Sequence, residues 1–302
     1  MILLVRFLVR WYRTRHPAAS RSADASSARP GSRGSARPAR QRGATGPLGM
    51  VMHQAGYDLL SFARNRQAQF FTLLLPLLFL VIFVSIFGNS PVGPEQVRSA
   101  TFFVPGIAAM GVMAPSFVNL VMSITNERES GVLKRRRATP VAAWTLIASR
   151  TLTVITVSLT VMTVLLLVGW LAYGVQVPAS TIPGIFLTGL VGSACFCILG
   201  YALASVIRSA EAAQPMVQAI TLPLYFISGV FVPNINLPSW LQSVASLFPV
   251  QHLADALHSA FVPGVQGTGI VWADLGVLAL WALGGLVVAL RRFSWVPAVV
   301  PA

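Results

Sequence analysis

The stretch QFFTLLLPLLFLVIFVSIFG, residues 69–88, carries no charged side chain. A helix rises 1.5 Å per residue, so about 20 such residues cross the roughly 30 Å of hydrocarbon in a bilayer. Within that hydrocarbon every backbone N–H and C=O must find a partner inside its own segment, and a helix provides one. Five more stretches read the same way: Thr101–Ile124, Thr151–Gly174, Ile182–Ile207, Pro215–Pro233 and Ile270–Leu290. Composition agrees, with 55% hydrophobic and 10% charged residues and a mean hydropathy of +0.71 over 302 residues. Soluble domains carry about 25% charged residues. A large water-soluble core is excluded, and the expected fold is an all-α membrane protein of six transmembrane helices.

The net charge of +14 would suit nucleic acid, but its distribution suits a membrane. Twelve of the 22 basic residues precede the first span, six lie between spans two and three, Arg208 lies between spans four and five, and Arg291 and Arg292 follow the sixth. The loops on the other side hold only Arg98. Basic residues collect on the cytoplasmic side, so both termini are expected in the cytoplasm, at the plasma (inner) membrane of a bacterium, with no nucleic-acid partner.

Residues 1–49 form a basic Arg-, Ser-, Ala- and Pro-rich extension with too little apolar content to fold. Arginines interrupt its apolar opening, unlike a signal peptide. With 21 Arg to one Lys, the composition points to a GC-rich genome and a true start at Met50 or Met52. Residues 50–68 read as an amphipathic lead-in helix, residues 69–292 as the six-span domain, and 293–302 as a tail. Between spans five and six, SWLQSVASLF and PVQHLADALHSAF are apolar at helical spacing but too short to cross, so they read as outer interfacial or re-entrant helices.

Cys195 and Cys197 sit two residues apart in one span and diverge by about 200°, so they read as packing residues. Gly200 with Ala204 and Gly285 with Ala289 suit close helix packing. The spans hold no Lys, Arg, Glu or His and only Asp274, near the outer end of the sixth. An ion-coupled carrier needs intramembrane groups to hold and release its ion, and an intramembrane hydrolase needs a buried nucleophile and base. The single lysine, Lys134, lies in SGVLKRRR and fits no GxxxxGK[ST] phosphate loop. If ATP drives this chain, a second chain hydrolyses it, and no cofactor is expected here.

Between spans two and three the chain reads TNERESGVLKRRRATPVAAWTLIAS, residues 125–149. Glu127 and Glu129 are expected to open a short charged helix, Gly131 to break it, and Thr139–Pro140 to start the helix leading into span three. A short amphipathic helix across such a loop suits docking into a partner's groove. A solvated positive-inside loop would explain Lys134 to Arg137 equally well.

The string NERESGVLKRRRATPV resembles the loop signature of the ABC type-2 permease family, particularly its daunorubicin-resistance-like drug and lipid exporter branch, where E-R-E-x-G-x-L precedes basic residues and T-P. RNRQAQFFTLLLPLLFLVIF resembles that family's entry into span one, and SGVFVPNINLPSWLQSVASLFPVQHLADALHSAF its outer loop after span five. The resemblance covers Gln54 to Arg292. It implies a permease subunit of an ATP-driven exporter, paired with a second permease (identical or not) and a separate P-loop ATPase, and moving a lipophilic or amphipathic substrate. It also implies that Glu127, Arg128, Glu129, Gly131, Leu133, Thr139 and Pro140 couple the loop to the ATPase.

Arg136 departs from the apolar residue usual there, and His252 and His258 depart from the family's Tyr and basic residue. These changes create H-x-x-D-x-x-H at His252, Asp255 and His258. One helix cannot easily turn all three to a single ion, and a metal is not expected there. The competing readings are an ion-coupled secondary carrier or channel without an ATPase, and an accessory protein without transport.

Overall fold

The computed structural model describes residues 47–87, 91–92, 97–137, 143–231, 237–261 and 267–292. The extension at 1–46, the tail at 293–302, Thr139 and Pro140 lie outside the described residues.

Helix α1 (Pro47–Arg64) lies where the lead-in helix was expected at residues 50–68. Helix α2 covers residues 66–87, in the pieces Arg66–Gln69, a widened π turn Phe70–Leu74, and Leu75–Phe87. A two-residue hairpin, β1 (Pro91–Val92) against β2 (Val97–Arg98), leads into α3. Helix α3 covers residues 99–129 in the pieces Ser99–Met113, a second π turn Ala114–Asn119, and Leu120–Glu129. The short α4 (Val132–Arg137) precedes α5 (Ala143–Tyr173) and α6 (Ile182–Val206). Then come α7 (Ala210–Ile227), α8 (Ser239–Ala245), α9 (Pro249–Ser259) and α10 (Trp272–Arg292).

Among the described residues, five helices are long and apolar enough to cross a membrane: α2, α3, α5, α6 and α10. Helix α7 occupies the place of the expected fifth span but is only 18 residues long and carries Glu211, Gln214, Gln218, Pro215 and Pro223. The helix begins at Ala210, ahead of the expected span start at Pro215, because Ser209 caps it by accepting a hydrogen bond from the Ala212 N–H at 3.3 Å. Glu127 and Glu129 correct the reading, for they close α3 rather than opening a new helix.

Helix α3 lies at the centre, with 72% of its apolar stretch buried against 22% for α2 and α10. Its Phe103, Ile107, Leu120 and Val121 pack with Val161, Met162 and Leu165 of α5, Ile185 and Phe196 of α6, and Leu253 and Leu257 of α9. Phe71 and Ile86 of α2, and Leu283 and Leu290 of α10, face outward. Apolar side chains turned outward are what a hydrocarbon surrounding accepts. Hydroxyls in α5 bond back along their own helix, Thr156 to the Leu152 C=O at 2.8 Å and Thr160 to the Thr156 C=O at 2.7 Å. They leave no donor to the apolar phase.

The two π turns are joined. Asn119 Nδ2 donates to Thr72 Oγ1, and that hydroxyl donates to the Ala68 C=O. Pro115 lies inside the α3 turn and Pro76 just beyond the α2 turn. A proline lacks an N–H and crowds the preceding turn, and a widened turn relieves both. Gly200 and Gly285 sit where the expected close packing occurs, a Cβ on them lying 3.2 Å from the Ser116 C=O and 2.9 Å from Leu199. Cys195 and Cys197 are buried, free packing residues.

Candidate functional site

The last turn of α3 gathers three other helices. Successive helical residues point about 100° apart, so three in a row can face three neighbours. Glu127 Oε1 forms an ion pair with Arg150 Nη1 of α5 at 2.8 Å, and Arg150 also donates to the Ser123 hydroxyl. Arg128 turns the other way. Its Nη1 donates to the Ala204 C=O at 3.0 Å and its Nη2 to the Ile207 C=O, both at the end of α6. Glu129 Oε2 accepts from the Ala210 N–H, the first of α7, at 2.6 Å.

These contacts have a common logic. A helix ends with unpaired carbonyls and begins with unpaired N–H groups. A guanidinium suits the first and a carboxylate the second, in sign as well as in hydrogen bonding. Arg128 is 5% exposed, so its charge is held by the carbonyls it satisfies. The sequence-expected residues Glu127, Arg128 and Glu129 are thus brought together, but their hydrogen-bonding ends point into this chain.

The turn after them has a different character. The chain reverses at Ser130 and Gly131, and Gly131 has φ +69 with open space where a Cβ would stand. Glycine adopts that conformation without the Cβ strain that most other residues meet there. Leu133 is buried beneath α4, while Arg135 is exposed and donates to the Ser130 C=O at 3.2 Å. Helix α4 therefore follows directly on a turn anchored to α5, α6 and α7.

Arg150, Ser123 and Ser209 belong to this site and were not singled out from sequence. Arg150 reads there only as one more basic loop residue. Ser209, just before Ala210 and Glu211, does carry a visible capping signal.

At the opposite end of α3, α9 is held by its histidines. His252 lies with Nδ1 2.7 Å from Asp274 Oδ1 of α10 and Nε2 2.9 Å from the Ser246 C=O. His258 lies with Nδ1 2.7 Å from the Ala254 C=O and Nε2 2.9 Å from the Phe102 C=O of α3. The two imidazoles address different neighbours, and no cluster of three or more metal-ligating side chains occurs among the described residues. Burial pushes the Asp255 carboxyl up to about 6, with the Asp274 charge adding to the rise and Gln251 and His252 opposing it. Burial likewise pushes His258 below the ordinary imidazole value, outweighing the two carbonyl contacts.

Comparison with known proteins identifies the setting. The chain is 27% identical over 219 residues to the daunorubicin resistance ABC transporter permease protein DrrB1 of Streptomyces coeruleorubidus, covering 71% of this chain and 73% of that one. It is 25% identical over 175 residues to a probable multidrug ABC transporter permease, YbhR, of Escherichia coli, covering 58% of this chain. That match covers 47% of the E. coli protein, so the chain spans about half the length of that relative. A putative transport permease, ycf38, of Cyanophora paradoxa is 27% identical over 192 residues, covering 61% of this chain and 64% of its own. The family described as ABC-2 family transporter protein matches residues 90–291, from β1 to the last turn of α10. On that match the chain is a multi-pass membrane protein belonging to the ABC type-2 permease family.

Proposed function

We propose that this chain is the membrane permease of an ATP-driven exporter, with ATP hydrolysed on a separate P-loop ATPase and a second permease completing the pathway. The observation that carries this reading is the anchored turn at Glu127–Glu129, on which α4 follows directly. A short helix fixed at its root to three others is suited to receive a push from a soluble partner and pass it into the bundle. Leu133, Gly131, Thr139 and Pro140 complete the docking element in this reading, with Glu127, Arg128 and Glu129 as its root.

The spans offer almost no ionisable group to hold a coupling ion, which argues for an external energy source. The apolar outer faces of α2 and α10 suit a lipophilic or amphipathic substrate taken from the cytoplasm or the inner leaflet, and the names of two relatives refer to multidrug transport and daunorubicin resistance. Six crossings with both termini in the cytoplasm of a bacterial cell follow if α7 is the remaining span. It runs from Ala210, bonded to Glu129 at one end of α3, to Ile227, just short of Val230, whose C=O lies 2.6 Å from the place of a Cβ on Gly106 near the other end. Helices α8 and α9 are then the outer, non-crossing pair.

The test is reconstitution. Proteoliposomes holding this chain together with the ATPase it co-purifies with should accumulate a lipophilic dye in their lumen only when ATP is supplied outside. Accumulation driven by an ion gradient with no ATPase present would establish the secondary-carrier reading instead.

A further inference from the structure

The link between α6 and α7 is only Ile207, Arg208 and Ser209, and both of its ends are extended (Ile207 φ −67, ψ 131; Ser209 φ −126, ψ 153). Two consecutive residues of α3 grip it from both sides. Arg128 holds the carbonyls of Ala204 and Ile207 upstream, and Glu129 holds the Ala210 N–H downstream. One residue further on, α3 has ended and the Ser130–Gly131 turn into α4 has begun.

We propose that Arg128 and Glu129 are positioning residues that gear α4 to the α6–α7 joint, so that displacement of α4 tilts α7 within the bundle. The inference rests on the reading of α4 as the element pushed by an ATPase. It adds which helix answers the push.

Three observations direct the motion to α7. Hydrogen bonds to charged groups hold their length within a few tenths of an ångström, so a shift of about 1–2 Å at the end of α3 must carry the joint along or break them. Glu127 holds α5 through an ion pair whose side chains are 18% and 22% exposed, whereas the buried fork of Arg128 holds the end of α6 and, at Ile207, the joint itself, to which the exposed Glu129 contact adds the first N–H of α7. Beyond its other end at Ile227 the chain is held, because the Val230 backbone packs against Gly106 with no room for a Cβ. A rod moved at Ala210 and held near Val230 tilts.

The test uses the full chain co-purified with its ATPase in nanodiscs, with Cys195 and Cys197 replaced by Ala. Spin-label pairs report on α4 (positions 135 and 152) and on α7 (positions 216 and 283), with and without a non-hydrolysable ATP analogue. In the parent protein both distances should change with the analogue. In Glu129→Ala, and separately in Arg128→Lys, the α4 distance should still change while the α7 change falls by at least half. Glu129→Gln, whose amide oxygen still accepts from the Ala210 N–H, should restore it. A merely structural role predicts no such separation of the two distances. An α7 change that survives at full size in both variants, or is missing from the parent while α4 moves, overturns the gearing and leaves the exporter reading standing. A parent protein in which neither distance responds sinks the coupling reading and the gearing with it.

Discussion

At one end of α3, guanidinium and carboxylate groups on a single turn hold α5, α6 and α7, whereas at the other end α9 is held to α3 and α10 by imidazoles beside a buried carboxyl. The first arrangement pairs each charge with a helix terminus or an opposite charge and contains no histidine. The second holds a carboxyl and an imidazole whose charged forms burial opposes, Asp255 pushed up to about 6 and His258 below its ordinary value. Load passes through paired charges at the first end, while the fit of the second varies with proton concentration.

The largest expected effect sharpens the mechanical side. Arg128→Met leaves two helix-end carbonyls without a donor at about 1–3 kcal/mol each. A loss of about 3 kcal/mol corresponds to a fall of roughly 10 °C in the melting temperature, readable by fluorescence in detergent. A fall of only a degree or two would mean that the carbonyls find other donors.

The next prediction concerns the titrating end. Asp255 binds its proton more tightly folded, at about 6, than at the ordinary 3.8, because burial disfavours its charge. The stability it lends is therefore complete below the ordinary value and is lost as pH rises towards about 6. Asp255→Asn removes that loss. It should raise the melting temperature at pH 7.5 and lose most of the gain by pH 4.5. An equal gain at both values would break the contrast between the two ends. His258, pushed the other way, should weaken the fold as pH falls through the ordinary imidazole range.

A smaller effect tests the grip on α5. In a double-mutant cycle of Glu127→Gln and Arg150→Met, the coupling energy should be about 1 kcal/mol and should shrink in high salt. Coupling of 3 kcal/mol would make that link as firm as the one to α6. The smallest concerns Gly131, where Ala should cost about 1 kcal/mol because of its positive φ, and Asn, which tolerates that region, clearly less. Equal costs would mean the turn relaxes.

The apolar helices were legible from sequence because hydrocarbon demands long uncharged runs, and α2, α6 and α10 follow the expected bounds within a few residues. The bounds of α7 depart further from the expected span Pro215–Pro233, because Pro215 and Pro223 sit inside the helix and Ser209 supplies its start signal. Glu127, Arg128 and Glu129 were singled out through the family resemblance, but the partners to which the structure bonds them were not. Arg128 and Glu129 pair with residues 76 to 81 positions away, and nothing local announces a main-chain carbonyl or N–H as a partner. The π turns escaped notice because periodicity averaged over a span hides a single widened turn.

The widened turn Ala114–Asn119 has a genetic consequence. A π turn houses one residue more than the regular helix needs, so deleting one residue there would return α3 to an unbroken spiral. A deletion in the regular part of α3, with no widened turn to absorb it, would instead clock everything downstream round by about 100°. Each of the three anchoring side chains would then arrive facing the neighbour meant for the next, whereas the same deletion inside the widened turn leaves their addresses in place. Drift in this lineage therefore has more freedom to shorten α3 at Ala114–Asn119 than along its regular turns.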